Sequence, residues 1–389
     1  MTYSDSNNNQ SNDYVIDPRV IEVDEKLYSL IGGVKILSAI KPLNYLEQKQ
    51  AFFDSQFSVN PIFTYQKKTI DPFSLKRELY NLPLESLGDE DLYRLYQEVV
   101  GSYVDKIDQY KAIGTADFLY NSLRYYGEPS DKDLRNAQFI LHLPDNSNAS
   151  ITDLLNAPQI KNILENMVAR EGYDCEMVFD NDMIANALVS GTRININSNA
   201  KLSSTDAEAL AHHELGVHLV TTLNARKQPL RILSMGFHLN TTTQEGLAIL
   251  SEYLSGNLTI LRLKILALRV IAVKSLIEDR NFRTTFLLLK ENYHLDEELA
   301  FNITARVYRG GGFTKDYLYL KGLSAILNAY EEEPNFLHLL TGKTSISHLP
   351  MISRLIEKNY FAAPELITPA FREPVISSEI EKFIVEAIR

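Results

Sequence analysis

The six residues from His213 to His218, which read His-Glu-Leu-Gly-Val-His, constrain this chain more than any other part of its sequence. A glutamate directly after a histidine, with a second histidine one turn on, is how zinc hydrolases present two ligands and a general base from one helix. In the common form of this motif the histidines lie four residues apart, or about 40° apart around the helix. Here they are five residues apart, so on a regular α-helix they would diverge by about 140°.

The five-residue spacing therefore predicts a π-helical turn between His213 and His218. One extra residue in a turn brings positions i and i+5 back towards one face of the helix, and such turns are frequent at functional sites. Gly216 lies between the two histidines, where its poor helix propensity makes the backbone easy to deform. The alternative is a buried amphipathic helix that carries two unrelated histidines.

Glu245 is the predicted third metal ligand, because a carboxylate can complete a set of two imidazoles. An alternative role is local, since the run from Thr242 to Glu245 is also a capping-box pattern in which Glu245 bonds to the Thr242 amide at a helix start. Gly246 follows directly, and we expect it to allow close approach of this helix to the metal-binding helix.

Glu252 and His212 are the rivals of Glu245 for the third position. Glu252 lies seven residues after Glu245 and so points to nearly the same helix face, where we expect it to support a metal-ligating residue. His212 points about 100° away from His213 on a helix, so we expect it to pack or to face solvent. His238 closely precedes Glu245 and is a candidate for the cleft wall. The remaining histidines, which we expect to be ordinary, are His142, His294, His338 and His348.

These residues predict a catalytic Zn²⁺ site with three protein ligands and one open position. Zinc lowers the pKa of a bound water towards about 7, and Glu214 is placed to take a proton from that water as it attacks a carbonyl group. The ion also polarises the carbonyl, which stabilises the developing oxyanion.

A second run, residues 306–319, combines three consecutive glycines with basic residues. The glycines favour a tight loop with positive φ angles. Arg306, Arg309 and Lys315 would suit an anionic group such as the C-terminal carboxylate of a substrate. A plain turn between helices with solvated charges is the alternative. We also consider Tyr319 as an oxyanion donor and Arg193 as a substrate contact.

Composition excludes several classes of protein. A net charge of −11 argues against nucleic-acid binding, and also against a strongly acidic substrate unless basic groups are gathered at the site. The lone cysteine, Cys175, excludes an internal disulfide and suits a reducing compartment; we expect it to be buried.

No signal peptide is evident, and the most apolar stretch, residues 258–277, carries four basic residues and predicts a core helix rather than a membrane span. We therefore expect a cytoplasmic protein without a membrane partner; its oligomeric state stays open.

The pattern of elements predicts a mostly helical α+β fold. We expect a disordered tail over 1–16, a helical region over 17–143, a boundary loop over 143–150 and a catalytic region over 150–389, with the two regions packed as one unit. Strands are predicted over 175–179 and 192–197, with Ile194 and Ile196 on one face. The metal-binding helix follows at once, with a capping box from Thr205 to Glu208, so the small sheet should lie beside it.

Several motifs together resemble one known family. They are His213 to His218, the Gln-Glu-Gly-Leu-Ala run from Gln244 to Ala248, and residues 60–65, 125–129 and 309–316. The chain resembles the bacterial flavohemoglobin expression-modulating QEGLA-motif proteins and, in the same family, the eukaryotic microtubule-associated tyrosine carboxypeptidases, which remove the C-terminal tyrosine of α-tubulin. The resemblance implies a zincin-like zinc metallopeptidase with His213, His218 and a downstream glutamate as ligands and Glu214 as base.

We therefore expect a carboxypeptidase that acts on the C-terminus of a peptide or protein. A regulatory metal-binding protein without turnover and a hydrolase of small amides are the alternatives.

Overall fold

The computed structural model describes residues 16–66, 70–144, 154–375 and 379–388. The predicted tail, except for its last residue, and most of the predicted boundary loop lie outside these ranges. The helices before the sheet are α1 Pro18–Ile31, α2 Ile36–Ala39, α3 Tyr45–Asp54, α4 Pro72–Tyr80, α5 Glu90–Ala112, α6 Asp117–Tyr126, α7 Asp131–Leu141 and α8 Ala157–Glu171.

The helices after the sheet complete the described chain, which is mostly helical as predicted. They are α9 Ser204–His213, α10 Val220–Arg226, α11 Ile232–Met235, α12 Asn240–Leu254, α13 Ile260–Asp279, α14 Phe282–Leu287, α15 Glu297–Tyr308, α16 Leu318–Glu332, α17 Leu349–Glu357, α18 Pro369–Arg372 and α19 Glu379–Ala387. Tighter 3-10 turns occur at Leu84–Leu87, Arg309–Gly311, Thr314–Tyr317, Phe336–Thr341 and Ile346–His348, and wider π-helical turns at Glu214–Leu219 and Leu288–Asn292.

The small sheet has three described strands, β1 Glu176–Asp180, β2 Ala187–Ser190 and β3 Arg193–Asn197, in the order β1-β3-β2. Strand β3 pairs parallel with β1 and antiparallel with β2. Ile194 and Ile196 are fully buried on one face, as their alternation predicts. The sequence analysis missed β2, which is the edge strand that contacts the π-helical turn. Cys175, expected to be buried, is half-buried just before β1.

Helix α9 begins earlier than its predicted capping box. Ser203 is the N-cap residue, and its hydroxyl accepts the Asp206 amide at 3.1 Å. The predicted cap at Thr205 is wrong because that residue already lies inside the helix.

The core joins the predicted N-terminal and catalytic regions. Leu95 of α5 packs in one buried cluster with Phe237 and with Ile352 of α17. Helix α13, built from the most apolar stretch of the sequence, contributes most of its buried residues to the largest cluster, so the prediction of a core helix is confirmed. None of the described helices combines the length and apolar character that crossing a membrane requires.

Helix α12 crosses α16 at two glycines. A Cβ atom added at Gly246 would overlap the carbonyl group of Gly322, and one added at Gly322 would overlap the carbonyl oxygen of Thr242. The prediction that Gly246 allows close approach is correct, but the helix that approaches is α16 and not the metal-binding helix. This crossing fixes the position of α12 relative to the core.

Gly246→Ala should destabilise the protein by about 1–3 kcal/mol, because a backbone carbonyl cannot rotate away from the added methyl group. Gly101→Ala is the matched control, since this helical glycine has open space at its Cβ position and alanine should stabilise the helix by about 0.5–1 kcal/mol. Urea unfolding of both variants measures the difference. Equal stabilities of the two variants would contradict the proposed crossing.

Candidate metal centre

The π-helical turn Glu214–Leu219 brings the two motif histidines together. The ring centroids of His213 and His218 lie 5.1 Å apart, although a regular helix would turn them to different faces. Gly216 lies within the turn, where an added Cβ would approach the Ser251 hydroxyl at 3.3 Å. The predicted π-helical distortion is therefore confirmed.

Two hydroxyl groups from other segments donate to carbonyl groups within this turn and directly before it. The Thr368 hydroxyl donates to the Gly216 carbonyl oxygen at 2.7 Å, and the Ser251 hydroxyl donates to the His212 carbonyl oxygen at 3.2 Å. A π-helical turn interrupts the regular i to i−4 pairing, and buried carbonyl groups require partners. These two hydroxyls thus stabilise the distortion that orients the histidines.

Glu245 reaches both histidines from α12. Its Oε2 atom lies 3.6 Å from Nε2 of His213 and 3.8 Å from Nε2 of His218, which is too long for hydrogen bonds. This oxygen is buried and has no hydrogen-bond partner among the described residues. Helix α12 begins at Asn240, so Thr242 is inside the helix and Glu245 does not cap it.

These three side chains fit a zinc ion. One ligand atom from each of His213, His218 and Glu245 lies within 4.8 Å of the others, and two of these separations are close to the value of about 3.4 Å that tetrahedral zinc coordination requires. Burial lowers the pKa of His213, but the Glu245 and Glu252 carboxylates outweigh it and raise this pKa to about 10. The cluster therefore favours positive charge at the point where an ion would bind.

Glu252 lies behind His213 and outside the ligand cluster. Its Oε1 atom accepts a hydrogen bond from Nδ1 of His213 at 2.7 Å. Arg262 holds the same carboxylate through two hydrogen bonds of 3.0 and 2.9 Å. A carboxylate on Nδ1 fixes the tautomer and orientation of a histidine that binds metal through Nε2.

Glu214 lines the cleft beside the cluster. Its Oε2 atom accepts the backbone amide of Val189, in edge strand β2, at 3.2 Å. Strand β2 thus fixes the Glu214 carboxylate, whose negative charge acts on His213 of the cluster.

The other histidines do not join the described cluster. His212 has a buried Nδ1 atom without a described hydrogen-bond partner, and burial lowers its pKa to about 4. His238, the candidate for the cleft wall, does not line the cleft; its amide bonds to Ser102.

The glycine loop has the tight geometry that its sequence predicts. Gly310, Gly311 and Gly312 have φ angles of 75°, 111° and 126°, and the loop packs on Phe118 and Leu119 of α6. Residues with a Cβ atom are strained at these angles and would also meet α6.

The basic residues around this loop differ in whether a carboxylate neutralises them. Arg306 forms a buried ion pair with Asp316, with Nε to Oδ2 at 2.5 Å, which favours a structural role over the predicted one as substrate anchor. Lys315 donates to Oε1 of Glu245 at 2.6 Å, and it therefore orients a candidate ligand. Arg309 is partly buried, and its Nε atom has no described hydrogen-bond partner.

Arg269 is a cleft residue that the sequence analysis missed. It lines the cleft, is partly buried, and has a buried Nε atom without a described hydrogen-bond partner. Its spacing of seven residues from Arg262 places both on one face of α13. That spacing is visible in the sequence, where Arg262 and Arg269 were interpreted only as charges that argue against a membrane span.

Tyr319 and Arg193 have different surroundings. The Tyr319 ring lies parallel to the His213 ring with centroids 6.4 Å apart, and its hydroxyl is 3.5 Å from Nζ of Lys315. Arg193 forms an exposed ion pair with Glu176 at 3.0 Å and does not line the cleft. This position gives no support to the prediction that Arg193 contacts substrate.

Fold and site together define a mostly helical α+β protein with a His-His-Glu cluster that lines a cleft. Comparison with known families then identifies the group. The family model for microtubule-associated tyrosine carboxypeptidase matches residues 50–389, and the chain belongs to this family.

Two relatives illustrate the similarity. Microtubule-associated tyrosine carboxypeptidase 1 of Rattus norvegicus is 24% identical over 332 residues, which cover 80% of this chain and 60% of that protein. The Mus musculus protein of the same name is 24% identical over 311 residues, or 75% of this chain and 56% of that protein. The chain thus spans less than two thirds of the length of these relatives.

His213→Ala and His218→Ala should each abolish tight binding of one Zn²⁺ per chain, because each removes one of three ligands. His212→Ala should keep the ion, since its ring lies outside the cluster. Elemental analysis after dialysis, with circular dichroism to check folding, gives the zinc content. Zinc retained by both folded ligand variants, or lost in the His212 variant alone, would contradict this ligand set.

Proposed function

We propose that this protein is a zinc-dependent carboxypeptidase with a zincin-like catalytic core. The convergence of His213, His218 and Glu245, with Glu214 beside them, is the observation that supports this proposal most strongly. Membership in a family named for carboxypeptidase activity supports the reaction type.

The chain's own residues have distinct roles in the proposed reaction. Zinc, when bound to His213, His218 and Glu245, would supply a Lewis acid and lower the pKa of water at its open position. Glu214 takes a proton from the attacking water and returns it to the departing amine. Glu252 keeps Nε2 of His213 directed at the centre through its bond to Nδ1.

Two partly buried arginines provide the proposed anchor for the C-terminal carboxylate. Arg309 and Arg269 line the same cleft as Glu214, and each retains a guanidinium Nε without a described partner. A guanidinium group with an unpaired Nε donor is suited to a carboxylate, which it binds through charge-assisted hydrogen bonds. Such an anchor restricts cleavage to the end of a chain.

Lys315 and Tyr319 are proposed to act around the reacting carbonyl. Lys315 holds Oε1 of Glu245, which leaves Oε2 for the ion. The Tyr319 hydroxyl lies next to that ammonium group and could donate a hydrogen bond to the oxyanion.

Glu214→Gln should leave zinc bound and reduce hydrolysis by about a hundredfold to ten-thousandfold, because it removes the base without removing a ligand. A peptide-library digest read by mass spectrometry is the assay, with C-terminal tyrosine included because the relatives are named tyrosine carboxypeptidases. Loss of single C-terminal residues by the wild-type protein is the expected result. Internal cuts would indicate an endopeptidase, and no cleavage by the zinc-loaded protein would favour a regulatory metal-binding protein.

Arg309→Ala and Arg269→Ala should raise KM for peptides with a free C-terminus by at least about tenfold, because each removes a charged hydrogen-bond donor from the anchor. Any residual cleavage of C-terminally amidated peptides should change little. Arg193→Ala is the matched control and should leave both substrates unaffected, since Arg193 pairs with Glu176 away from the cleft. An equal loss for free and amidated peptides would argue against a carboxylate anchor.

A further inference from the structure

Residues 60–65 form a segment without helix or strand, here named the strap, which has no role in the proposed reaction. The backbone groups of such a segment need partners from elsewhere, and side chains at the start of α3 supply them. The Asn44 amide group donates to the Ile62 carbonyl oxygen at 3.0 Å and accepts the Thr64 amide at 2.9 Å. Gln48 accepts the Ile62 amide at 2.7 Å. The strap therefore follows a fixed path, and it ends at a tyrosine.

This tyrosine, Tyr65, bonds to the glycine loop. Its hydroxyl oxygen accepts the Gly310 amide at 2.7 Å, and the Gly310 carbonyl oxygen accepts the Gly114 amide at 2.7 Å. The Tyr65 ring packs against Gly114, where an added Cβ atom would lie 3.2 Å from the ring. Because Gly310 is buried, its amide depends on the Tyr65 hydroxyl for a hydrogen bond within the described protein.

The bond to Tyr65 fixes one side of the Arg309 backbone. The Gly310 amide belongs to the peptide group that follows Arg309, and the amide of Arg309 itself donates to the Ala305 carbonyl oxygen of α15. Both peptide groups that flank the Arg309 Cα atom are thus held. The guanidinium group lies over the Phe313 ring, with Cζ 4.9 Å from the ring centroid, and its Nε atom has no described hydrogen-bond partner.

The Tyr65 hydroxyl holds Arg309 without neutralising it. Burial raises the pKa of Tyr65 to about 12, so the phenol keeps its proton and is uncharged. Arg306 differs, because the Asp316 carboxylate that holds its guanidinium group also pairs with its charge. A neutral acceptor on the backbone leaves the guanidinium group of Arg309 available to an anion.

We propose that Tyr65 is a positioning residue for the carboxylate anchor. Its hydrogen bond to Gly310 fixes the backbone of Arg309, so that the guanidinium group meets the C-terminal carboxylate of a substrate in a preorganised position. Tyr65 does not line the cleft, and it therefore acts through Arg309 and not by contact with the substrate. This inference rests on the proposed carboxypeptidase function.

Tyr65→Phe is the direct test, because it removes the hydroxyl and retains the ring that packs against Gly114. It should raise KM for peptides with a free C-terminus by about threefold to tenfold, the effect of one lost hydrogen bond, with little change in kcat. KM for C-terminally amidated peptides should change little. In the zinc-loaded Glu214→Gln background, calorimetry should show the same loss of affinity for the free C-terminus. The Gly310 amide should also exchange its hydrogen faster, as NMR measures directly.

Two further variants show whether the effect passes through Arg309. In the Arg309→Ala background, Tyr65→Phe should cause no additional loss, because residues that act as one unit are not additive. Tyr308→Phe is the matched control, since Tyr308 directly precedes Arg309 but its hydroxyl bonds to Thr285 at 3.0 Å and not to the loop. This control should leave KM for both kinds of peptide unchanged, and thermal unfolding verifies that every variant is folded.

The outcomes separate the positioning role from the reaction. Binding of free C-termini that weakens in Tyr65→Phe, without hydrolysis by the wild-type protein, would support the positioning role and contradict the proposed enzyme. Hydrolysis with unchanged KM and affinity in folded Tyr65→Phe would overturn the positioning role and leave the enzyme intact. An equal loss for free and amidated peptides, a full additional loss in the Arg309→Ala background, or failure of any peptide to bind would also overturn it.

Discussion

The π-helical turn between His213 and His218 is the constraint on which the rest of the site depends. Five residues separate these histidines, and only a widened turn places both imidazoles at one point. The chain stabilises this turn from outside, with a hydroxyl from Thr368 on the Gly216 carbonyl oxygen and one from Ser251 on the preceding turn. The geometry of the candidate metal centre is therefore a property of the packed protein and not of the helix alone.

The basic side chains that line the cleft differ in whether a carboxylate pairs with them. This difference separates residues that orient their neighbours from residues that can bind a ligand. Arg306 is neutralised by Asp316, and Lys315 by Glu245, so each orients a neighbour. By contrast, Arg269 and Arg309 keep donor atoms without described partners. Buried donor atoms without a partner are costly, and a ligand that accepts their hydrogen bonds explains them best.

The sequence alone predicted the structural features that depend on residues close together in the chain. The spacing in the histidine motif predicted the π-helical turn, and alternation in β3 predicted the burial of Ile194 and Ile196. It did not predict the contacts between segments that lie far apart in the sequence. The neutralisation of Arg306 depends on the fold of the glycine loop, and the role of Gly246 depends on α16, which no local pattern reveals. Strand β2 was missed because four residues between turns give too little alternation to recognise.

X-ray absorption at the zinc K-edge of the zinc-loaded protein tests the central claim most directly. The account predicts four light-atom ligands at about 2.0–2.2 Å, with the multiple-scattering signature of two imidazole rings. Glu245→Ala should reduce the bound zinc or replace one oxygen ligand by water while both imidazoles remain. A coordination shell with fewer than two imidazoles, or with six oxygen ligands typical of a surface-bound ion, would contradict the account.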